Sequence, residues 1–227
     1  MYTYEEFKNI VWNIYNEHMT NSELDPVEVS MILKKELFKL LEEVMISNED
    51  EFQIEIDKVC KRLLGLNQKY KLELYQNLPE KFIKNLTDLN SVVMGIPNNK
   101  DSDLDFTISV ESLEEQKKVG EILESIGYNF IKIFEDNISG EIKWHDYRKY
   151  DGGTEIEVKV RWKLVVDRVL IAHYGIKNDL TEEQKLKISY IKSVLVSGDR
   201  TTYKIFKYIV YGAMFDGNED AIIFRID

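Results

Sequence analysis

The chain reads first as helix, then as strand, then as helix again. In its first part apolar residues recur three and four apart: Phe7, Ile10, Val11, Ile14 and Tyr15, then Val29, Leu33, Leu37, Leu40, Leu41 and Val44. That period lays an apolar stripe along one side of a helix. Pro26 follows Asp25, the order expected where a helix begins. The pattern continues through 48–64 and 67–86, where Gly65 is expected to stop one helix and Pro79 to break the next. Spacings differ from segment to segment, so the helices do not form a repeat array.

The texture changes at Ser91-Val92-Val93-Met94-Gly95, a short apolar run that reads as a strand. A turn-rich stretch follows, and then Asp103 to Val110, in which polar and apolar residues alternate strictly. A helix is expected over 113–126, with Val119, Ile122, Leu123 and Ile126 on one side. Three further strands are expected at 128–134, 141–150 and 154–162, separated by glycine-bearing turns short enough for antiparallel hairpins. The helical period returns at Lys163 and runs through Ala172, and two more helices are expected over 181–196 and about 199–215. Thr181 with Gln184 forms a capping-box pattern. The expected fold is therefore α+β: a mixed, largely antiparallel sheet of about five strands at 89–162, a helical N-terminal region at 1–88 and a helical C-terminal region at 163–227.

Alternation decides which side chains share a face. Asp103, Asp105, Thr107 and Ser109 point one way from their strand, while Leu104, Phe106, Ile108 and Val110 point the other. The last strand repeats the logic, with Glu155, Glu157, Lys159 and Arg161 opposite Ile156, Val158 and Val160. Carboxylates two apart on a strand with an apolar back suit Mg2+ or Mn2+ bridged by substrate phosphates. Lys159 and Arg161 are placed to meet phosphate oxygens. His145 and His173 are read as packing residues, and so are Tyr203, Phe206, Tyr208 and Tyr211 on the last helix.

From Ser91 to Trp162 the chain resembles the DNA polymerase β-like nucleotidyltransferase superfamily, in which a glycine turn precedes acid-hydrophobic-acid and a third acid follows on a later strand. The resemblance implies metal binding by Asp103, Asp105 and Glu157, with Glu155 in reserve. It implies that Gly95 lets the triphosphate approach the backbone. Ile96 stands where the family usually has serine, which leaves Lys100, Lys159 and Arg161 as the cations available to a nucleotide. The implied activity is transfer of a nucleoside monophosphate from a nucleoside triphosphate, with release of pyrophosphate, to an RNA end, a protein or a small molecule. A fainter resemblance, carried by Glu157-Val158-Lys159-Val160-Arg161 and Ala172-His173-Tyr174, points to RelA/SpoT-like alarmone synthetases and pyrophosphate transfer. Two alternatives come from another class: an inactive fold kept as a binding module, and a helical interaction protein whose sheet is incidental.

Charge narrows the partners. Forty-one acidic against 30 basic side chains leave a net charge of −11, which disfavours extended duplex nucleic acid and is compatible with a single nucleotide held through metal ions. No apolar run approaches the ~20 residues needed to cross a bilayer. Cys60 is the single cysteine, and the first residues lack the basic and apolar segments of a secretory signal, so a cytoplasmic location is expected.

Overall fold

The computed structural model describes residues 2–19, 25–97, 102–135 and 143–214. The fold is α+β, with nine α-helices and a five-stranded mixed sheet among the described residues. None of the described helices is long and apolar enough to cross a membrane. The chain divides into two compact units. One comprises 1–58, 94–99 and 168–227, and the other 59–93 and 100–167.

The first unit is helical. Helices α1 (Tyr4–Ile14) and α2 (Pro26–Glu43) both open on capping boxes, Thr3 with Glu6 and Asp25 with Glu28. Each box satisfies helix N–H groups that lack an intrahelical partner. Their apolar stripes, including Phe7, Val11, Leu33, Leu37 and Leu41, share a core with Ile188 and Ile191 of α8 (Glu182–Leu195) and Ile205, Phe206 and Ile209 of α9 (Arg200–Ala213). Close approach of α2 and α9 is enforced at Gly212, where a Cβ would stand 2.7 Å from Leu33 Cδ1. Beside it, Ser30 donates to the Gly212 carbonyl at 2.8 Å. The Thr181–Gln184 capping box forms as the sequence implies.

The second unit carries the sheet. Its strands are β1 (Leu86–Asp88), β2 (Leu104–Val110), β3 (Asn129–Glu135), β4 (Lys143–Asp151) and β5 (Thr154–Trp162), in the order β1-β2-β5-β4-β3. The β2–β5 pair is parallel and the other three pairs are antiparallel. A two-residue turn, Gly152-Gly153, joins β4 to β5. Both glycines have positive φ, 55° and 85°, the geometry a tight hairpin needs and other residues resist. The apolar face, with Leu104, Phe106, Ile108, Ile156, Val158 and Val160 fully buried, packs on α6 (Leu113–Ser125) and on the sheet-side part of α3 (Glu49–Asn77). Gly120 lets Tyr147 lie across α6, since a Cβ there would stand 2.1 Å from the tyrosine oxygen.

Four local expectations are corrected. Ser91–Met94 is a helical turn, α5, not a strand. A four-residue apolar run has no period long enough to separate the two, and burial of Val92 and Met94 fits either. The remaining strand is β1, which lies in the stretch read as the tail of a helix. Gly65 does not stop a helix, because α3 runs through it with a solvent-facing surface at that point. Helical α7 (Lys163–Asp179) also extends beyond Ala172.

Candidate active site

The acidic face of the sheet is assembled by register. Asp105 on β2 stands opposite Glu157 on β5, and Glu157 stands opposite Arg148 on β4. One step along, Thr107, Lys159, Asp146 and Lys132 form the next row across β2, β5, β4 and β3. Along β5 two acids, Glu155 and Glu157, are followed by two bases, Lys159 and Arg161, and across β4 each of Glu157 and Lys159 faces a residue of opposite charge.

Lys159 lies between the two facing acids. Its Nζ is 3.0 Å from Asp105 Oδ1 and also contacts Glu157 Oε2. Burial opposes the Lys159 charge, yet Asp105 and Glu157 outweigh that cost and hold its pKa above the ordinary lysine value. Glu157 is pushed the other way. Burial first, and then Asp105 alongside it, raises its carboxyl well above the usual range, with Lys159 opposing the rise.

Arg148 closes the network on the other side. Its Nη2 donates to Glu157 Oε1 and to Asp146 Oδ2, both at 2.7 Å, and its Nη1 lies 3.3 Å from Glu155. Burial works against the guanidinium charge, but the hydrogen bonds to Asp146 and the surrounding carboxylates raise its pKa further. Asp146 is fully buried, so Arg148 is the partner that makes its burial tolerable. Arg161 stacks over the Trp144 ring, its guanidinium carbon 5.3 Å from the ring centre, and burial lowers its pKa.

A second set of contacts fixes Asp105 through its backbone. Fully buried Asn90 accepts from the Asp105 N–H through its side-chain oxygen, while the Leu89 N–H donates to the Asp105 carbonyl at 3.0 Å. Asn90 is held in turn by Asn67, 3.1 Å away, and by Asp88, which also accepts from Asn67 at 2.8 Å. Strand β2 thus presents the Asp105 side chain from a backbone held on its β1 edge by Leu89 and Asn90.

Of the residues singled out in the sequence, Asp105, Glu157 and Lys159 are brought together, and Glu155 is tied to Arg148 and to the Tyr150 hydroxyl. Asp103 is exposed just ahead of β2. Gly95 has a φ of 79° and belongs to the first unit, where a Cβ would stand 3.2 Å from Lys185 Cδ. Next to it, Ile96 is buried in that unit's core and its carbonyl accepts from Lys192 at 2.6 Å. Lys100 lies outside the described residues. His145 falls on the apolar face opposite Val160 and packs edge-on against Phe130; His173 lies against Tyr211.

Asp146, Arg148 and Asn90 were not among the sequence candidates. The first two were within reach: counting outward from Gly152-Gly153 along the expected hairpin pairs Arg148 with Glu157 and Asp146 with Lys159. Nothing in the sequence around Asn90 marks it.

Among the described residues no three His, Cys, Asp or Glu side chains are grouped so as to hold a metal ion. The chemistry of the Asp105–Glu157 pair nonetheless suits a hard cation: two carboxylates are forced together, and one of them is buried. On the same face the buried Thr107 hydroxyl and Arg161 Nε have no hydrogen-bond partner among the described residues, as groups that await a ligand do. No protein-family model matches the chain, and no curated protein matches it.

Proposed function

We propose that the chain is a metal-dependent nucleotidyltransferase of the polymerase β-like kind, acting from the acidic face of its sheet. The observation that carries this reading is the facing pair Asp105 and Glu157, on adjacent parallel strands with a wholly apolar back. Asp103, two positions before Asp105, is the third carboxylate. Asp103, Asp105 and Glu157 would hold Mg2+ or Mn2+, which, when bound, stabilises phosphate oxygens and lowers the pKa of an attacking hydroxyl.

The protein's own groups do the rest. Asn90 and Leu89 fix the Asp105 backbone, so that its carboxylate is preorganised. Arg148 keeps one oxygen of Glu157 engaged, leaving the side chain little rotational freedom. Lys159 and Arg161 are the cations on this face that meet phosphate oxygens of a nucleoside triphosphate. Release of pyrophosphate accompanies transfer of the nucleoside monophosphate to an RNA end, a protein or a small molecule. The single cysteine suits a reducing, cytoplasmic setting.

One observation favours a second reading, an inactive fold that binds without turnover: Lys159 and Arg148 already neutralise Asp105 and Glu157. The two readings separate when the full chain is incubated with each α-labelled nucleoside triphosphate, Mn2+ and a fractionated cell extract. Label entering one fraction, and none with Asp105→Asn at unchanged circular dichroism, supports transfer. Label uptake undiminished in Asp105→Asn would refute these ligands, and nucleotide binding without transfer to any fraction would favour the binding module.

A further inference from the structure

We propose that Lys159 is a built-in counter-ion occupying the cation position between Asp105 and Glu157, so that divalent metal binds there only as the ammonium gives way. The inference rests on the metal-dependent reading above and specifies how metal and triphosphate are coupled.

The argument begins with what a pair of facing carboxylates requires. Two ionised acids at adjacent positions of parallel strands repel one another, and Glu157 is buried, so a positive charge in contact with both offsets their repulsion. Lys159 provides it from two residues along β5, reaching back to touch an oxygen of each acid. An ammonium in contact with both carboxylates and a divalent ion shared by them compete for the same oxygens, and their mutual repulsion forbids both at once at contact distance.

Arg148 plays a different part. Its guanidinium engages Glu157 through Oε1, while Lys159 engages Oε2. Arg148 is also tied to Asp146 and Glu155, so it is anchored by three acids, whereas the Lys159 ammonium contacts the facing pair Asp105 and Glu157. A lysine has a flexible stem and a compact charge, which lets it swing between acceptors where an arginine fork bound by three acids cannot.

Once displaced, the ammonium needs a new anion. On this face its neighbours are Thr107, whose buried hydroxyl has no hydrogen-bond partner among the described residues, and Asp146, already satisfied by Arg148. A substrate phosphate oxygen meets that need. Metal and triphosphate then favour each other's binding, the substrate accepting the charge that the metal expels, and the coupling is reciprocal. Metal alone binds weakly, because it must break the Lys159 contacts with nothing to replace them.

The test uses the full chain and Mn2+ alone, its free concentration followed by electron paramagnetic resonance, with wild type, Asp105→Asn, Lys159→Met, Lys159→Gln and the double variant Asp105→Asn/Lys159→Met. Removing the ammonium is expected to tighten Mn2+ binding at least about tenfold, and the gain is expected to vanish in the double variant. If Lys159→Met and Lys159→Gln bind Mn2+ no more tightly than wild type while Asp105→Asn weakens wild-type binding, the counter-ion role is wrong and the metal site stands. If neither wild type nor the lysine variants bind Mn2+ at millimolar concentration, the metal-dependent reading falls with it. Should neither lysine variant fold, nuclear magnetic resonance of 15N-lysine wild type decides: the Lys159 ammonium signal is expected to move as Mg2+ is added, and an unmoved signal while Mg2+ binds overturns the proposal.

Discussion

Asp105 and Glu157 face each other across the single parallel strand pair of the described sheet, with the Lys159 ammonium touching both. The pairing follows from ordinary causes. Alternation puts each acid on the polar side of its strand, and the buried rows Leu104, Phe106 and Ile108 against Ile156, Val158 and Val160 fix the register. A slip of one residue would turn every one of those apolar side chains into water. The packing of the apolar face therefore determines the geometry of the acidic one.

Arg148 should be the most costly residue to lose from this face. Arg148→Met leaves Asp146, fully buried, and Glu157 without the cation that engages both. Breaking a buried ion pair from one side costs about 3–5 kcal/mol, and partial exposure of Arg148 places the expectation at the lower end, about 3 kcal/mol. Urea unfolding measures it; a loss below about 1 kcal/mol would show that the network contributes little to stability.

Gly65 is expected to be replaceable with profit. It sits inside α3, exposed, and a Cβ there would have nothing within 4 Å. Gly65→Ala removes backbone freedom from the unfolded chain and should stabilise the protein by about 0.5–1 kcal/mol, seen as a melting temperature raised by about 1–4 °C. A lower melting temperature would mean that the bare helix position is required by a contact absent from this structure.

Acid should loosen the first unit through Asp199. This residue caps α9, accepts from the Thr202 N–H at 2.8 Å and from the Tyr4 hydroxyl, and these hydrogen bonds, the one from Tyr4 foremost, hold its pKa down at about 2 against an ordinary 3.8. A depressed carboxyl contributes stability above its unfolded pKa and loses it as pH falls through the folded one. The contribution is therefore complete above about pH 4 and lost toward pH 2. Wild type should melt higher than Asp199→Asn at pH 7, by a small margin because the group is exposed, and the two should converge by pH 2. A difference independent of pH would assign the effect to shape and not to charge.

Much of the fold was legible because its signals are long. The alternating runs of β2 and β5 and the stripes of α1, α2, α6 and α8 each span enough residues for a period to declare itself. Leu86–Asp88 and Ser91–Met94 are too short for that, and their assignment depends on what they pair with or pack against. Gly65 misled because glycine weakens a helix without ending it when the flanking turns are buried, as Leu63 and Tyr70 are. At the site, the faces of Asp105 and Glu157 followed from alternation, but their being neighbours depended on β2 and β5 pairing in parallel across an intervening helix and two strands. Asn90 was invisible, since a buried amide clamping a strand has no periodicity.

The central claim, that this acidic face holds a nucleoside triphosphate through divalent metal, is tested most directly by calorimetry of the full chain with each triphosphate, with and without Mn2+. The account predicts binding that requires metal and is lost in Asp105→Asn and Glu157→Gln while circular dichroism is unchanged. Binding of equal strength without metal, unaltered binding in both variants, or none at millimolar nucleotide would contradict it.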